Sequence, residues 1–261
     1  MKKSKRKIKR NKRIIFVISI LIIIILLKIV LDNIHRDIPE ETIETISYTN
    51  SKETKDKVSA IKKQSEIDSK STDWNLILVN KENKMPDNYN CELNYIENGH
   101  RVDSRIKSSI TQMLADARKE GLLPYICSSY RTHKSQITLF NRKVNQYKKL
   151  GYNQENAKLK ASYWVAIPGT SEHELGLALD IVSKDFQVLD ETQENTKIQK
   201  WLNEHCVEYG FILRYPKDKQ DITKINYEPW HYRYVGIENA KFMKEKGFCL
   251  EEFIEYLKEY E

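Results

Sequence analysis

A histidine, two glutamates and an aspartate stand close together in the stretch GTSEHELGLALDIV, residues 169–182. A zinc-binding HExxH helix would need a second histidine four positions after His173, where the chain has Leu177. His173 and Asp180 lie seven residues apart instead, and Gly176 followed by alternating apolar residues predicts a turn that enters a strand. A carboxylate buried in such a strand needs a cation or several hydrogen-bond donors. The partner of Asp180 is therefore predicted to be an arginine or a metal ion.

A second group of suitable side chains occurs in YEPWHYRYV, residues 227–235. Glu228 stands three residues before His231, and Pro229 between them favours a turn or an edge position. A single histidine in such apolar surroundings is usually a packing residue. Two histidines and one aspartate, however, make a set of zinc ligands that leaves a further position for water, as in catalytic zinc sites. A glutamate beside that set could take a proton from the water, so the spacing indicates metal-assisted hydrolysis.

Several separated motifs of the chain occur together and in order. They are SSYRTHKSQ, SEHELGLALDI, YGFILRYP and YEPWHYRYVG. The first resembles S-G-Y-R-x-x-x-x-Q, with Ser129 where glycine is usual; the second resembles S-x-H-x-x-G-x-A-x-D, and the last E-P-W-H-x-R-Y-V-G. These are segments of the zinc D,D-carboxypeptidases of the VanY type, and the resemblance covers residues 74–258.

The resemblance implies an activity and a set of site residues. The activity is removal of the terminal D-Ala from peptidoglycan stem peptides that end in D-Ala-D-Ala, as an accessory to vancomycin resistance. One Zn²⁺ per chain is implied, with three ligands: His173, Asp180 and His231. The implied general base is Glu228, and the substrate-binding residues are Arg131, which grips the substrate carboxylate, Gln136 and Ser171.

Two other functions remain open at this stage. One is an L,D-carboxypeptidase that acts on tetrapeptide stems, because relatives with the same fold have that activity. The other is a cell-wall-binding or signalling module that uses the fold without catalysis. The complete set of zinc ligands and base favours an enzyme. Without the resemblance, Arg131 could equally be a surface salt-bridge partner.

The charge of the chain is unevenly distributed. The net charge is +7 over 261 residues, but residues 1–13 hold nine Lys or Arg and no acidic residue. The remainder has 35 basic against 37 acidic residues, a net of −2, which argues against nucleic acid as a partner. An apolar run begins at Ile14 and extends to Leu31, close to the length that crosses a bilayer.

These features predict four segments. They are a basic cytoplasmic tail (1–13), a transmembrane signal anchor (14–34), a polar tether (35–72) and a zinc carboxypeptidase domain (73–261). Because the cations precede the apolar run, the domain is predicted to lie outside the cell membrane, attached to it by a single pass. A cleaved signal peptide is the alternative, but no small-residue cleavage pattern follows the apolar run.

Strand and helix patterns in the domain do not alternate regularly, which predicts an α+β fold with a small, mostly antiparallel sheet flanked by helices. The resemblance to the VanY-type enzymes implies the same fold class, that of the D-Ala-D-Ala peptidase and hedgehog-like proteins. The predicted strands are 74–80, 124–131, 211–215, 224–228 and 231–235. The predicted helices are 104–120, one that ends at Gly151, 154–165, 196–209 and one or two over 238–258. Four widely spaced cysteines without a CxxC pattern are expected to be free thiols.

Overall fold

The α+β prediction is confirmed for residues 70–260, which are the part of the chain that the structure, a computed structural model, describes. The strands are β1 (Leu93–Tyr95), β2 (Arg101–Asp103), β3 (Pro124–Ser128), β4 (Ala178–Ser183), β5 (Phe211–Leu213) and β6 (His231–Tyr234). The helices are α1 (Lys107–Lys119), α2 (His133–Lys149), α3 (Gln154–Ala161), α4 (Lys197–His205), α5 (Gln220–Thr223), α6 (Ile237–Lys246) and α7 (Leu250–Tyr260). Short 3₁₀ turns separate several of them, including Glu172–Leu175 before β4.

The predicted basic tail, the transmembrane anchor and nearly all of the tether lie outside the described residues. Within residues 70–260, no helix combines the length and the apolar character needed to cross a membrane.

The main sheet has four antiparallel strands in the order β3-β4-β6-β5, and β1 and β2 form a separate antiparallel pair. One face of the sheet packs on α1 and α4. Leu179 and Ile181 of β4 lie on that face and are fully buried beside Ile110 and Met113 of α1 and Leu202 of α4. Because side chains alternate along a strand, Asp180 lies on the opposite face.

A β-bulge interrupts the pairing of β3 with β4. Ile126 pairs with Ile181 and Ser128 pairs with Asp180, so that Cys127 has no partner residue on β4. A bulge of this kind bends its strand and increases the local twist. It thereby sets the direction in which the chain leaves β3 toward Arg131.

Helices α2 and α3 form a hairpin with a small apolar cluster of its own. The buried members are Phe140, Val144, Ala157 and Ala161. The side chain of Thr132 caps α2 by accepting a hydrogen bond of 3.2 Å from the Ser135 N–H. The hairpin faces the sheet across a cleft, which is described below.

Two predicted strands are wrong. Residues 74–80 begin with a 3₁₀ turn, Trp74–Leu76, and their carbonyl groups are not used by a neighbouring strand. The Arg233 guanidinium donates instead to the carbonyl oxygens of Asn75 (3.0 Å) and Ile77 (2.9 Å). An apolar run can be buried without being a strand when a side chain satisfies its backbone.

The other wrong prediction is the strand at 224–228. Lys224 has a left-handed backbone (φ 59), which breaks an extended run at its first residue. The N–H of Asn226 donates to the carbonyl of Tyr163, and the N–H of Tyr227 to the side chain of Gln220. The segment is therefore a loop tied to other loops and helices, and it leads directly into Glu228.

Candidate metal centre and active-site cleft

Pairing of β4 with β6 places two of the predicted ligands side by side. Asp180 is the direct partner of His231 in the antiparallel register. Side chains of residues paired in this way point to the same face and lie about 5 Å apart at Cβ. Strand register thus explains how residues distant in sequence reach one site.

The third predicted ligand, His173, lies on the 3₁₀ turn Glu172–Leu175 that precedes β4. Gly176 ends this turn with a left-handed backbone (φ 73), and a Cβ at this position would lie 3.0 Å from the backbone nitrogen of Asp103. The glycine is therefore required by both conformation and space. It reverses the chain so that His173 and Asp180 face each other, as the turn-then-strand prediction expected.

His173, Asp180 and His231 form a group of three buried residues whose ligand atoms lie within 4.8 Å of one another. His173 Nε2 is 3.3 Å from Asp180 Oδ2, and His231 Nδ1 is 3.1 Å from Asp180 Oδ1. Asp180 Oδ1 is buried, and its contact with His231 Nδ1 lacks the geometry of a good hydrogen bond. A buried carboxylate that two imidazole nitrogens approach in this way fits a bound cation, and two histidines with one carboxylate are a zinc donor set.

The charges within the group of His173, Asp180 and His231 also favour a bound cation. Burial would raise the pKa of the Asp180 carboxyl, but His173 and His231 hold it well below its usual range. Burial would lower the pKa of His231, but the carboxylates of Asp180 and Glu172 raise it to about 9. The protonated His231 then supplies positive charge that the group needs, and a divalent cation would replace that proton on binding.

The second ring nitrogen of each histidine is held by the protein. His173 Nδ1 lies 2.9 Å from the carbonyl oxygen of Ser129, and His231 Nε2 lies 3.3 Å from Glu172 Oε2. As donors to these oxygens, the rings present His173 Nε2 and His231 Nδ1 to the shared space. Such outer contacts fix both tautomer and ring orientation at metal sites.

Ser129 is the position that departs from the family pattern, where glycine is usual. Its side chain is not solvent-exposed: Oγ accepts a hydrogen bond of 3.2 Å from the N–H of Arg101 and lies 3.0 Å from His100 Nδ1. The hydroxyl thus ties the segment after β3 to β2. Its backbone carbonyl still contacts His173, so the departure adds contacts without removing one.

Glu172 is buried in an ion cluster behind His231. Its Oε1 accepts from Arg214 Nε at 2.7 Å and from Arg233 Nη1 at 2.8 Å. Arg214 also pairs with Glu251 of α7 at 2.7 and 2.8 Å. Burial would raise the pKa of Glu172, but the two guanidinium groups lower it well below its ordinary value. Glu172 is therefore a buried ion-pair partner that supports His231 from behind.

This cluster also removes two candidates from substrate binding. Arg214 and Arg233, the arginines of the YGFILRYP and YEPWHYRYVG motifs, have fully buried side chains. Their donors are directed at Glu172, Glu251 and backbone carbonyls. Neither guanidinium is directed at the cleft.

Glu228 lies immediately beside the ligand group. Its Oε2 is 3.7 Å from His231 Nδ1, and its backbone N–H donates to the carbonyl of Tyr215 at 3.1 Å. Burial raises the pKa of Glu228 to about 8. A cation held by the three ligands would favour its charged form, which is the form that can accept a proton.

The ligand group opens into a cleft of about 450 Å³. One side consists of β4, β6 and the turn Glu172–Leu175, which we call the sheet wall. The other side consists of α2 and the segment 164–166, which we call the helical wall. Ser171 and Glu228 line the cleft on the sheet side, with Ser171 buried at 3% exposure.

Arg131 lines the cleft where the chain passes from β3 to α2. Its Nη1 donates to Gln136 Oε1 at 2.7 Å and its Nη2 to Ser128 Oγ at 2.6 Å. Arg131 pairs with no carboxylate among the described residues, so the alternative of a surface salt-bridge partner is not what is observed. A guanidinium held from behind in this way is oriented to bind a carboxylate.

Gln136 is fully buried and lies behind Arg131 rather than in the cleft. Its side-chain oxygen accepts from Arg131, and its nitrogen donates to the carbonyl of Ala166 at 2.6 Å. The residue therefore positions Arg131. Ser128, whose hydroxyl does the same from the other side, was missed in the sequence, although it belongs to the SSYR motif.

The four cysteines are free, as the sequence predicts. Cys127 lines the cleft, and its Sγ donates to the carbonyl oxygen of Asp180 at 3.4 Å. Burial raises the pKa of this thiol to about 12. It is thus a neutral thiol, and it is not among the described residues whose ligand atoms converge at the metal site.

Comparison with known proteins identifies the class to which this fold and site belong. The family model VanY, D-alanyl-D-alanine carboxypeptidase, matches residues 99–237. That range contains the three metal-site residues together with Glu228, Arg131, Gln136 and Ser171. The chain belongs to the VanY family of D-alanyl-D-alanine carboxypeptidases.

Individual relatives agree with this assignment. A D-alanyl-D-alanine carboxypeptidase of Enterococcus faecalis (strain ATCC 700802 / V583) is 44% identical over 182 residues, 70% of this chain and 66% of the relative. The chain thus spans about two thirds of that protein's length. The crystal structure of a mutant of the vancomycin resistance D,D-pentapeptidase VanY, in complex with Zn(II), is 44% identical at a TM-score of 0.64 and covers 70% of this chain and 99% of that one. The LdcB LD-carboxypeptidase is 36% identical at a TM-score of 0.58, over 70% of this chain and 86% of that one.

Proposed function

We propose that this protein is a zinc-dependent D,D-carboxypeptidase, which hydrolyses the C-terminal D-Ala from peptidoglycan pentapeptide stems ending in D-Ala-D-Ala. The observation that carries the proposal is the content of one cleft. A preassembled two-histidine, one-aspartate donor set, a carboxylate beside it and an oriented guanidinium all face the same 450 Å³ space. A metal-dependent exopeptidase needs three things: a metal site, a proton acceptor and a group that binds the carboxylate at the end of its substrate.

Each residue has a defined role in the reaction. The guanidinium of Arg131 binds the terminal carboxylate through two parallel hydrogen bonds, which aligns the last peptide bond with the ligand group. Glu228 accepts a proton from the water that attacks the carbonyl carbon, and then delivers it to the leaving nitrogen as the C–N bond breaks. When bound by His173, Asp180 and His231, Zn²⁺ polarises the carbonyl and lowers the pKa of water.

The test is mass spectrometry of stem peptides after incubation with the zinc-loaded protein. Pentapeptide should be converted to tetrapeptide and free D-Ala. His173→Ala, Asp180→Ala and His231→Ala should each lose zinc and activity together. Intact pentapeptide in the presence of stoichiometric zinc would contradict the proposal, and would favour a cell-wall-binding module that uses the same fold.

An L,D-carboxypeptidase acting on tetrapeptide stems is the second candidate. The fold similarity to the LdcB LD-carboxypeptidase, at 36% identity, favours it specifically. The higher identity, 44%, is to D,D-enzymes, and we therefore place this candidate second. The same assay with pentapeptide and tetrapeptide in parallel decides between them by the ratio of their kcat/KM values.

The cellular setting is also part of the proposal. Residues 14–34 would anchor the chain in the cell membrane, with residues 1–13 inside, 35–72 as a tether and 73–261 outside, where peptidoglycan is found. Protease added to intact protoplasts should then digest the domain and spare an N-terminal tag. A mature chain that begins near residue 35 would contradict the anchor. In a host that makes D-Ala-D-Lac or D-Ala-D-Ser precursors, the activity would remove vancomycin targets.

A further inference from the structure

Two cations line the cleft without an ion-pair partner among the described residues. Arg142 and Lys143 are consecutive residues of α2 and belong to the cleft lining. Other cleft charges have partners or proposed roles. Arg131 is held by Ser128 and Gln136, Asp180 belongs to the ligand group, Glu228 lies beside that group, and Glu172 is paired with Arg214 and Arg233. This pair of charges has no role in the reaction described above.

The surroundings of Lys143 favour an anionic ligand. Its Nζ lies 5.3 Å from the ring centroid of Trp164, which also lines the cleft, and 5.9 Å from that of Tyr147. Burial lowers the pKa of Lys143, while the charge of Glu228 opposes the shift. A half-buried ammonium among aromatic rings gains from an anion that enters the cleft. Arg142 beside it is exposed and can reach the same ligand.

The distance of Arg142 and Lys143 from Arg131 indicates which part of a bound peptide these two residues contact. Ser135 and Leu139 line the cleft between Arg131 and the pair. The rise of an α-helix puts Lys143 roughly 12 Å beyond Ser135 along the helical wall. An extended peptide covers that distance in three to four residues at about 3.3 Å each. With the terminal carboxylate on Arg131, the pair would face the acyl part of the peptide, two or three residues before the bond that is cleaved.

We propose that Arg142 and Lys143 recognise a free carboxylate on the acyl side of the scissile bond. The substrate class is then a stem peptide that carries a carboxylate, rather than a carboxamide, two or three residues before that bond. This inference rests on the proposed function and names the kind of stem that the site prefers.

The test compares two peptides that end in D-Ala-D-Ala and differ only by a carboxylate or a carboxamide at the second or third residue before the cleaved bond. The zinc-loaded full-length chain should show a kcat/KM ratio in favour of the carboxylate of roughly 3- to 10-fold, the size of one or two half-exposed charge pairs. Arg142→Gln and Lys143→Met should each reduce the ratio, and the double variant should bring it to about 1. Lys148→Gln removes a charge from the same helix outside the cleft lining and should leave the ratio unchanged. Added salt should lower the wild-type ratio.

Failure of this inference can be told from failure of the proposed function. If wild type cleaves both peptides with equal kcat/KM, or the double variant keeps the wild-type ratio, the inference is overturned and the proposed function stands. If wild type cleaves neither peptide, the proposed function is overturned. Calorimetric binding of the two peptides to the Glu228→Gln variant still measures carboxylate recognition in that case, and equal affinities would overturn the inference as well. The single variants provide the same ratios if the double variant is unstable.

Discussion

The sheet wall and the helical wall of the cleft are built in different ways. The sheet wall places Asp180 and His231 on paired strands, with the main apolar cluster behind β4 and an ion cluster behind His231. The helical wall rests on a small cluster of four buried residues in the α2–α3 hairpin, and Leu150 and Leu159 of that hairpin are 73% and 53% exposed. Less apolar surface is thus buried behind the helical wall.

The difference matches what each wall would do. The atoms of metal ligands and of a general base must keep their positions to within about half an ångström. This requires that the residues behind them are buried and fully hydrogen-bonded. Side chains that recognise a flexible peptide tolerate more freedom, and regions with fewer buried contacts open more easily. We therefore expect changes in the sheet wall to affect chemistry, metal binding and stability, and changes in the helical wall to affect substrate preference.

The largest expected effect is on catalysis by the sheet wall. Glu228→Gln should lower kcat by about 10²–10⁴-fold, because a positioned general base contributes that much. Zinc content should remain near one per chain, since Glu228 is not one of the three ligands. Metal analysis alongside steady-state kinetics measures both, with His231→Ala as the zinc-free comparison. A metal-free Glu228→Gln protein would mean that Glu228 is a ligand.

Loss of the buried charge of Glu172 should have a nearly as large effect, on stability and on zinc affinity. Glu172→Gln leaves Arg214 and Arg233 buried without their shared carboxylate, which should lower the free energy of unfolding by about 3–5 kcal/mol. Zinc affinity should fall by roughly 10- to 100-fold, because His231 loses a charged acceptor. Urea denaturation of the zinc-free protein and zinc titration measure the two effects.

The matched control is Glu97→Gln, which removes a carboxylate from the partly exposed pair with Arg118. That change should alter the free energy of unfolding by less than about 1 kcal/mol. Equal destabilisation by the two substitutions would mean that the ion cluster has no special structural role.

Where the chain enters the helical wall, Arg131→Ala should reduce kcat/KM by roughly 10- to 100-fold, the value of a charge-assisted pair of hydrogen bonds. It should also abolish most of the preference for a free D-Ala carboxylate over its amide, while zinc remains bound. Arg131→Lys should be impaired too, because an ammonium lacks the planar fork. An undiminished acid-over-amide preference in Arg131→Ala would show that another group holds the carboxylate.

The smallest effect is expected for Gln136, which supports Arg131 from behind. Gln136→Ala removes one of two side-chain contacts of that guanidinium and should raise KM by roughly 3- to 10-fold with a smaller change in kcat. Gln146→Ala, an exposed position on the same helix, should change neither. A loss as large as that of Arg131→Ala would indicate that Gln136 contacts the substrate itself.

Much of the fold could be predicted because its signals are local. Apolar residues at helical spacing, such as Ile110, Met113 and Ala117, locate α1, and Gly121 marks its end. Spacing within two short motifs indicated His173, Asp180, Glu228 and His231, and resemblance to family motifs added Arg131, Gln136 and Ser171. Each motif is a short stretch of the chain, whereas the register that pairs Asp180 with His231 joins distant strands.

The supporting contacts could not be predicted because they join distant residues. Nothing near Glu172 in sequence shows that Arg214 and Arg233 will enclose it. Arg233 also explains why the predicted strand at 74–80 does not form. Its guanidinium donates to the carbonyls of Asn75 and Ile77, which a neighbouring strand would otherwise have to satisfy. Long-range pairing of buried charges leaves no periodic pattern in a single sequence.

The bulge at Cys127 limits where the chain can gain or lose residues. The segment from Ile126 to Arg131 must supply both the carbonyl that orients His173 and the guanidinium that lines the cleft. Deleting Cys127 would turn β3 into a regular strand and remove its bend, and an added residue would displace both groups. Replacing individual side chains disturbs this path less than altering the number of residues in it. Natural insertions and deletions among related chains are therefore expected outside the segment from Ile126 to Arg131.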